Sequence, residues 1–334
     1  MNKILVITDN KQDQVNGVVV TYKNLKEQAR ADGYSIDFID PSLFKGFSWP
    51  AYPEVKISFA LGIKKHIEKI NPDYIHIATE GPIGVAGKLY CDKREINYTT
   101  CYHTKFPEYV KRMHHIPESI TWRYMRWFHK KSSSVFVPTR SMAEELSEHG
   151  FKNLTQWTRG VDRGHLWCEK EYNHPNDPIK VVCVGRVSKE KNLPVLLELQ
   201  DQFNITIVGD GPARKELERK YTAANFVGYK HGRKLAEEYA RADVFVFPSL
   251  TDTFGIVNIE ALAMGTPVVG FNVTGPRDIV QTGLNGYVVS NEKDLAKAIR
   301  SAAELERDRV QQTSLTYTWE RCWQIFKDNL VDRY

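Results

Sequence analysis

Short runs of apolar, mostly β-branched residues alternate along the chain with longer amphipathic stretches. In the first half these are KILVIT (3–8), SIDFID (35–40), DYIHIA (73–78), YTTCYH (98–103) and SVFVP (134–138). The second half has IKVVCVG (179–185), NITIVG (204–209), DVFVFP (243–248) and TPVVGF (266–271). Strands that read as continuous apolar runs, spaced by helix-length segments, predict parallel sheets covered on both faces. Two such series in succession predict two Rossmann-like α/β domains.

The seam is expected where LTQWT (154–158) gives way to RGVDRGHLWCEKEYNHPNDP (159–178), a polar stretch rich in Pro, Asn, Asp and Gly without periodicity. The expected domains are 1–168 and 169–314, followed by a closing helical segment, 315–334. DLAKAIRSAAELERDRV (294–310) has one long helical pattern, and TYTWERCWQIFKDNL (316–330) is an amphipathic helix with Trp319, Trp323 and Phe326 on one side.

At 334 residues, the chain exceeds what one core usually fills, which agrees with two domains. Hydrophobic residues make up 42% and charged residues 26%, the balance of a globular protein rather than a disordered one. No apolar run approaches the roughly 20 residues of a membrane-spanning helix. The start, MNKILVITDN, reads as a buried strand and not as a leader, so a cytoplasmic protein is expected, with a peripheral place at a membrane surface. The five cysteines, Cys91, Cys101, Cys168, Cys183 and Cys322, are scattered without zinc spacing and read as reduced structural thiols.

Charge is concentrated in one segment. From Lys111 to Lys131 there are six Lys or Arg (Lys111, Arg112, Arg123, Arg126, Lys130, Lys131) and one acid, Glu118. Trp122, Tyr124, Trp127 and Phe128 are interleaved with them. Such a stripe suits an anionic membrane surface and equally a nucleic acid. It also fits a solvated helix whose aromatics pack inward.

The chemistry is carried by TDTFGIVNIE (251–260). Thr253-Phe254-Gly255 leaves a buried strand and opens a helix at Ile256, so helix N–H groups face the carboxyl end of the sheet, where phosphate is attracted. Gly255 lets the backbone approach an anion. Glu260 has two acceptor oxygens suited to a vicinal diol such as ribose, and Asp252 is placed for hydroxyls on whatever the phosphate carries. Taken alone, the two acids fit a helix cap and a solvated carboxylate as well. VGRVSKEKNL (184–193) adds Gly185, Arg186 and Lys191 after another strand, two cations able to neutralise a pyrophosphate leaving group.

These residues resemble the nucleotide-sugar-binding half of retaining GT-B glycosyltransferases of family GT4, whose paired acids stand here as Asp252 and Glu260 and whose Arg/Lys pair stands as Arg186 and Lys191. IVGDGPARKEL (207–217) matches the family's next strand and turn through Gly209, and FVGYKHGRKL (226–235) the stretch that cradles the base, at Tyr229. In the first half, QVNGVVVTYKNL (14–25) resembles the loop over the donor phosphates, with Asn16 and Gly17, and CYHTKFPEYV (101–110) places the active-site histidine at His103. Read alone, Asn16-Gly17 is a plain turn and His103 a lone histidine. WFHKKSSSVFVPTRSMAEELSEHGF (127–151) and RGVD (159–162) extend the resemblance, with Arg159 placed to reach the donor and Asp162 to cap a helix.

The resemblance implies an α/β GT-B fold: two Rossmann-like domains, a deep interdomain cleft and a C-terminal helix returning to the first domain. It is greatest toward the sulfoquinovosyl and mannosyl transferases that act on lipids. It implies a retaining hexosyl transfer from a nucleotide diphosphate sugar to an acceptor hydroxyl, most naturally on a membrane lipid. The alternatives are a transferase that decorates hydroxymethylated bases in phage-type DNA, and a non-catalytic sugar-nucleotide-binding protein. No Asp-x-Asp occurs, so no metal and no cofactor beyond the donor substrate is expected, nor is an obligate protein partner evident.

Overall fold

The computed structural model describes residues 2–14, 16–49, 52–114, 116–164, 166–170 and 177–334, without the side chains of 48, 49, 52–57, 109 and 112–114. Its contacts divide the chain into two units, Met1–Arg159 with Trp319–Tyr334, and Gly160–Thr318. The sequence reading placed the corresponding boundaries at 168/169 and 314/315.

The first unit holds β1 (Asn2–Ile7), β2 (Tyr34–Ile39), an antiparallel hairpin of β3 (Gly46–Trp49) and β4 (Tyr52–Ser58), then β5 (Tyr74–Ile77), β6 (Thr99–Cys101), β7 (Val135–Val137) and β8 (Leu154–Gln156). Outside the hairpin they form one parallel six-stranded sheet in the order β2-β1-β5-β6-β7-β8. The hairpin has no counterpart in the sequence reading, although Phe47 and Trp49, and then Val55 and Ile57, alternate with small or polar residues; Pro50 and Pro53 interrupt that pattern. Val6 and Ile7 of β1 and Ile77 of β5 are wholly buried, as strands covered on both faces require.

The closing helix Trp319–Asp328 belongs to this unit. Trp319, Cys322, Trp323 and Phe326 pack with Tyr22, Leu25 and Ala29 of the helix Gly17–Ala31. The indole N–H of Trp323 and the ammonium of Lys327 both donate to Asp32, at 2.9 and 2.7 Å. Each aromatic buried this way contributes roughly 2–3 kcal/mol, enough to return a distant segment to the first unit.

The second unit holds β9 (Lys180–Val184), β10 (Asn204–Val208), β11 (Asn225–Gly228), β12 (Val244–Phe247), β13 (Val268–Phe271) and β14 (Gly286–Val289). They run parallel in the order β11-β10-β9-β12-β13-β14, the doubly wound 3-2-1-4-5-6 pattern. The expected single helix over 294–310 is broken. It forms Leu295–Ala303 and Arg307–Gln312, because Arg307 turns inward to donate to the carbonyl of Gly265 and to Thr266.

Four cysteines are buried and Cys168 is half-buried. Burial pushes the thiols of Cys91, Cys101, Cys183 and Cys322 up to about 12, so none of these four is a ready nucleophile. Among the described residues, no helix is long and apolar enough to cross a membrane.

Candidate active site

In a doubly wound sheet the strand order reverses at one point, and ligands bind outside the carboxyl ends of the strands there. In the second unit that point lies between β9 and β12. Gly185 and Arg186 follow β9 directly, and Pro248 to Asp252 follow β12. A small cavity here is lined by Gly185, Arg186, Lys191, Phe247, Pro248 and Ser249.

Lys191 ends a short 3-10 turn, Lys189–Lys191. The next residue, Asn192, ties that turn to β12 by donating to the carbonyl of Pro248 at 3.3 Å. Held there, Lys191 Nζ donates to both carboxylate oxygens of Asp252, at 2.8 and 2.7 Å. The two side chains retain 24% and 27% of their exposure, so the pair is sheltered yet reachable. Burial alone would raise the Asp252 carboxyl, but the Lys191 ammonium outweighs it and holds the group below the ordinary carboxylate range. The sequence reading treated Lys191 and Asp252 as separate contacts; the fold joins them.

Three residues after Asp252, Gly255 begins the helix Ile256–Ala263 with φ +74°. A Cβ there would lie 2.5 Å from Asn258 Nδ2 and 2.9 Å from a Phe247 ring carbon. Thr253 and Phe254 are buried, and the Phe254 ring packs edge-on against Tyr317, so this turn offers backbone rather than side chains. Gly209, after β10, has φ +144° and its amide donates to the carbonyl of Gly228. Tyr229 follows β11, half-exposed, its hydroxyl donating to the Asp210 carbonyl at 3.0 Å and its ring parallel to His231.

Glu260 is partly buried rather than fully solvated, and the hydroxyl of Tyr239 donates to its Oε2 at 3.0 Å. Burial raises its carboxyl, and the Tyr239 bond offsets part of that. Tyr239 was missed in the sequence because it sits on another helix, Arg233–Arg241, with no local signal linking it to the acid.

The first unit carries the remaining predicted residues. Asn16 caps the helix Gly17–Ala31, its side chain accepting from the Val19 amide at 2.9 Å, so Gly17 is the first residue of a helix N-terminus rather than a plain turn. His103 follows β6. Its Nδ1 lies 3.3 Å from an Arg159 guanidinium nitrogen and its Nε2 3.1 Å from the Tyr22 hydroxyl. Arg159, expected to reach the donor, is instead buried against the Trp157 ring at 4.2 Å and donates to the carbonyls of Trp157 and Thr158. Asp162, expected to cap a helix, accepts from Gly164 within a turn. Lys105 is tied to Glu145, at 3.1 and 2.8 Å.

The aromatics of the basic segment are mostly core. On the helix Glu118–His129, Trp122 stacks on His149 at 3.7 Å, Phe128 is fully buried and Tyr124 is half-buried. Trp127 remains 42% exposed beside Arg123, Arg126, Lys130 and Lys131, and Ile120 is 59% exposed on the same helix. Lys111 is exposed and pairs with Glu118 at 3.0 Å, while the Arg112 side chain lies outside the described residues.

His76, in β5, is fully buried, and burial, then the Arg159 charge, lowers it to about 3. His103 is likewise held well below its ordinary value, by burial first and then by Arg159 and His76. Unfolded, both titrate near 6.5. Their neutral folded forms therefore stabilise the first unit fully above pH ~6.5. That stability falls as pH drops through 6.5 toward the folded values, on the order of 1 kcal/mol per pH unit for each histidine. Urea unfolding of the full chain should show a midpoint that declines from pH 7.5 to 5; a flat midpoint would contradict this.

Comparison with known proteins agrees with this geometry. Residues 169–318 match the family described as "Glycosyl transferases group 1", and residues 15–165 that described as "Glycosyltransferase Family 4". The chain is 27% identical to a GDP-mannose-dependent alpha-mannosyltransferase of Corynebacterium glutamicum, over 99% of this chain and 88% of that one. It is 29% identical to a sulfoquinovosyl transferase of Arabidopsis thaliana, over 79% of this chain and 56% of that protein. A sucrose-phosphate synthase from Thermosynechococcus elongatus has the same fold, with TM-score 0.79 at 20% identity and 98% of each chain covered. The two parallel six-stranded sheets form an α/β GT-B fold, and the family matches make the chain a glycosyltransferase. The chain belongs to the GT4 glycosyltransferases, in the branch of the mannosyl and sulfoquinovosyl enzymes.

Proposed function

We propose that this enzyme transfers a hexose, with retention of configuration, from a nucleotide diphosphate sugar to a hydroxyl of a membrane lipid. The observation that carries the donor half is the Lys191–Asp252 ion pair, in which Asp252 stands three residues ahead of the Gly255 helix start and Lys191 lines one cavity with Arg186. Arg186, Lys191 and the helix N-terminus supply positive potential to a departing diphosphate. Backbone at Gly185, Gly209, Thr253, Phe254, Gly255 and Ile256, together with the Tyr229 ring and the Glu260 carboxylate, holds the nucleotide. Asp252 takes sugar hydroxyls; on the first unit, Asn16 and Gly17 are assigned to phosphate contact and His103 to a hydroxyl of the transferred sugar.

The step balances without a protein nucleophile. The bond from the anomeric carbon to the phosphate oxygen breaks as the bond to the acceptor oxygen forms on the same face. The acceptor proton passes to the leaving phosphate oxygen. Fixed cations in the cavity provide the charge stabilisation that a bound metal ion supplies in other transferases.

The lipid acceptor is supported by the exposed basic face of the helix Glu118–His129, where Trp127 and Ile120 stand among cations. A cation near an anionic bilayer is worth about 1 kcal/mol and an exposed aromatic suits the interface. Replacing Arg123, Arg126 and Lys130 together by Glu should weaken binding to phosphatidylglycerol vesicles about 10²-fold or more in flotation. Unchanged flotation, or a gel shift with duplex DNA stronger than vesicle binding, would remove the lipid reading and favour DNA. The donor is tested by thermal shift with UDP, GDP and ADP, since a bound nucleotide raises Tm.

A further inference from the structure

The side chains around His103 form a chain of hydrogen bonds with one consistent assignment of protons. A guanidinium has only donors, so Arg159, 3.3 Å from Nδ1, requires that nitrogen to accept. The ring proton of the neutral imidazole then sits on Nε2 and is donated to the Tyr22 oxygen at 3.1 Å. Tyr22, having accepted, gives its own proton to His76 Nε2 at 2.6 Å. His76 therefore carries its proton on Nδ1 and donates it to Thr99 Oγ1 at 2.8 Å.

Reversing the His103–Tyr22 link would leave two protons facing each other at Arg159; with that bond fixed, His76 Nε2 at 2.6 Å is the acceptor in place for the Tyr22 proton, which carries the order on to Thr99. The members come from separate elements: Tyr22 from the helix Gly17–Ala31, His76 from β5, Thr99 from β6 and Arg159 from the segment after β8. Tyr22 and His76 are among the most buried polar side chains of the unit, at 1% and 0% exposure, and both rings pack on Trp157. Buried polar groups are costly unless every one is satisfied, and a fully satisfied network holds its members in one orientation.

We infer that Tyr22 and His76 are positioning residues for His103, fixing it as a neutral, Nε2-protonated hydrogen-bond donor that takes no proton during transfer. This rests on the transferase reading above and deepens it. The Nε2–H, shared with Tyr22, is what the ring offers a sugar hydroxyl, while the acceptor proton goes to the leaving phosphate. The titratable and charged groups facing the ring are Tyr22, His76 and Arg159, with Glu80 acting on Tyr22 from the loop after β5. The Arg159 charge and burial both oppose protonation of His103.

The test uses the full chain labelled with ¹⁵N-histidine, His103 being assigned by difference from a His103→Asn variant. The expected signals are an unprotonated Nδ1 and a protonated Nε2, unchanged from pH 5.5 to 8.0. Tyr22→Phe, which deletes one oxygen, should lower kcat about tenfold and leave the donor KM within twofold. An Nδ1-protonated or titrating His103, or a Tyr22→Phe enzyme with normal kcat, overturns the inference. If Tyr22→Phe does not fold, the wild-type spectrum decides alone. If no sugar nucleotide supports transfer by the wild type, the transferase reading fails, and the tautomer measurement still judges the network separately.

Discussion

Lys191→Ala is expected to lower kcat by about 10²–10³-fold while the protein stays folded. The reason is the asymmetry between what Lys191 does for the fold and what it does for a departing diphosphate. In the resting protein its ammonium neutralises Asp252 in a site about a quarter exposed. Losing it leaves a carboxylate that regains water or a proton, at a cost of about 1–2 kcal/mol. During transfer, negative charge grows on the leaving group, and removal of one fixed electrostatic partner from such a site typically costs about 3–4 kcal/mol of barrier. Steady-state kinetics beside a urea melt separates the two. A folded Lys191→Ala protein with near-normal turnover would end the assignment of this cavity to the leaving group. The same pair predicts an acid limit, because Asp252 is held below its unfolded value. Its contribution is present above the ordinary carboxylate range and is lost as pH falls below it.

Gly209→Ala should destabilise the second unit by about 3–5 kcal/mol and abolish nucleotide binding. At φ +144° an L side chain is strained, and a Cβ there would overlap the carbonyl oxygen of Gly185. That obstacle is backbone, so no rotamer change relieves it, and the turn after β9 must move. The displaced segment is the one that carries Arg186, and through the Val187 amide it is bonded to Asp210. Stability and binding are thus predicted to fail together, unlike in Lys191→Ala. A Gly209→Ala protein with a wild-type urea midpoint and nucleotide thermal shift would show that the two turns are not coupled.

The sequence by itself determined the parallel sheets, since apolar runs such as IKVVCVG and DVFVFP form buried strands through local composition. It also placed Gly185 and Arg186 directly after one strand and Asp252 five residues after another, because both strand ends are legible as the ends of apolar runs. The helix start at Ile256 followed from short-range backbone chemistry, whereas the one at Gly17, which read as a plain turn, was shown only by the structure. Pairings between distant segments were decided only by tertiary structure. The joining of Lys191 to Asp252 and of Tyr239 to Glu260 depends on strand order, which no local pattern carries. Burial likewise decided which aromatics of the basic helix face the core, and it turned Arg159 inward onto His103. A histidine inside the apolar strand DYIHIA was the visible trace of the His76 network. Its partners were not visible, because a hydrogen bond is specified by positions in space and Tyr22, Thr99 and Arg159 are brought to it by separate elements of the fold.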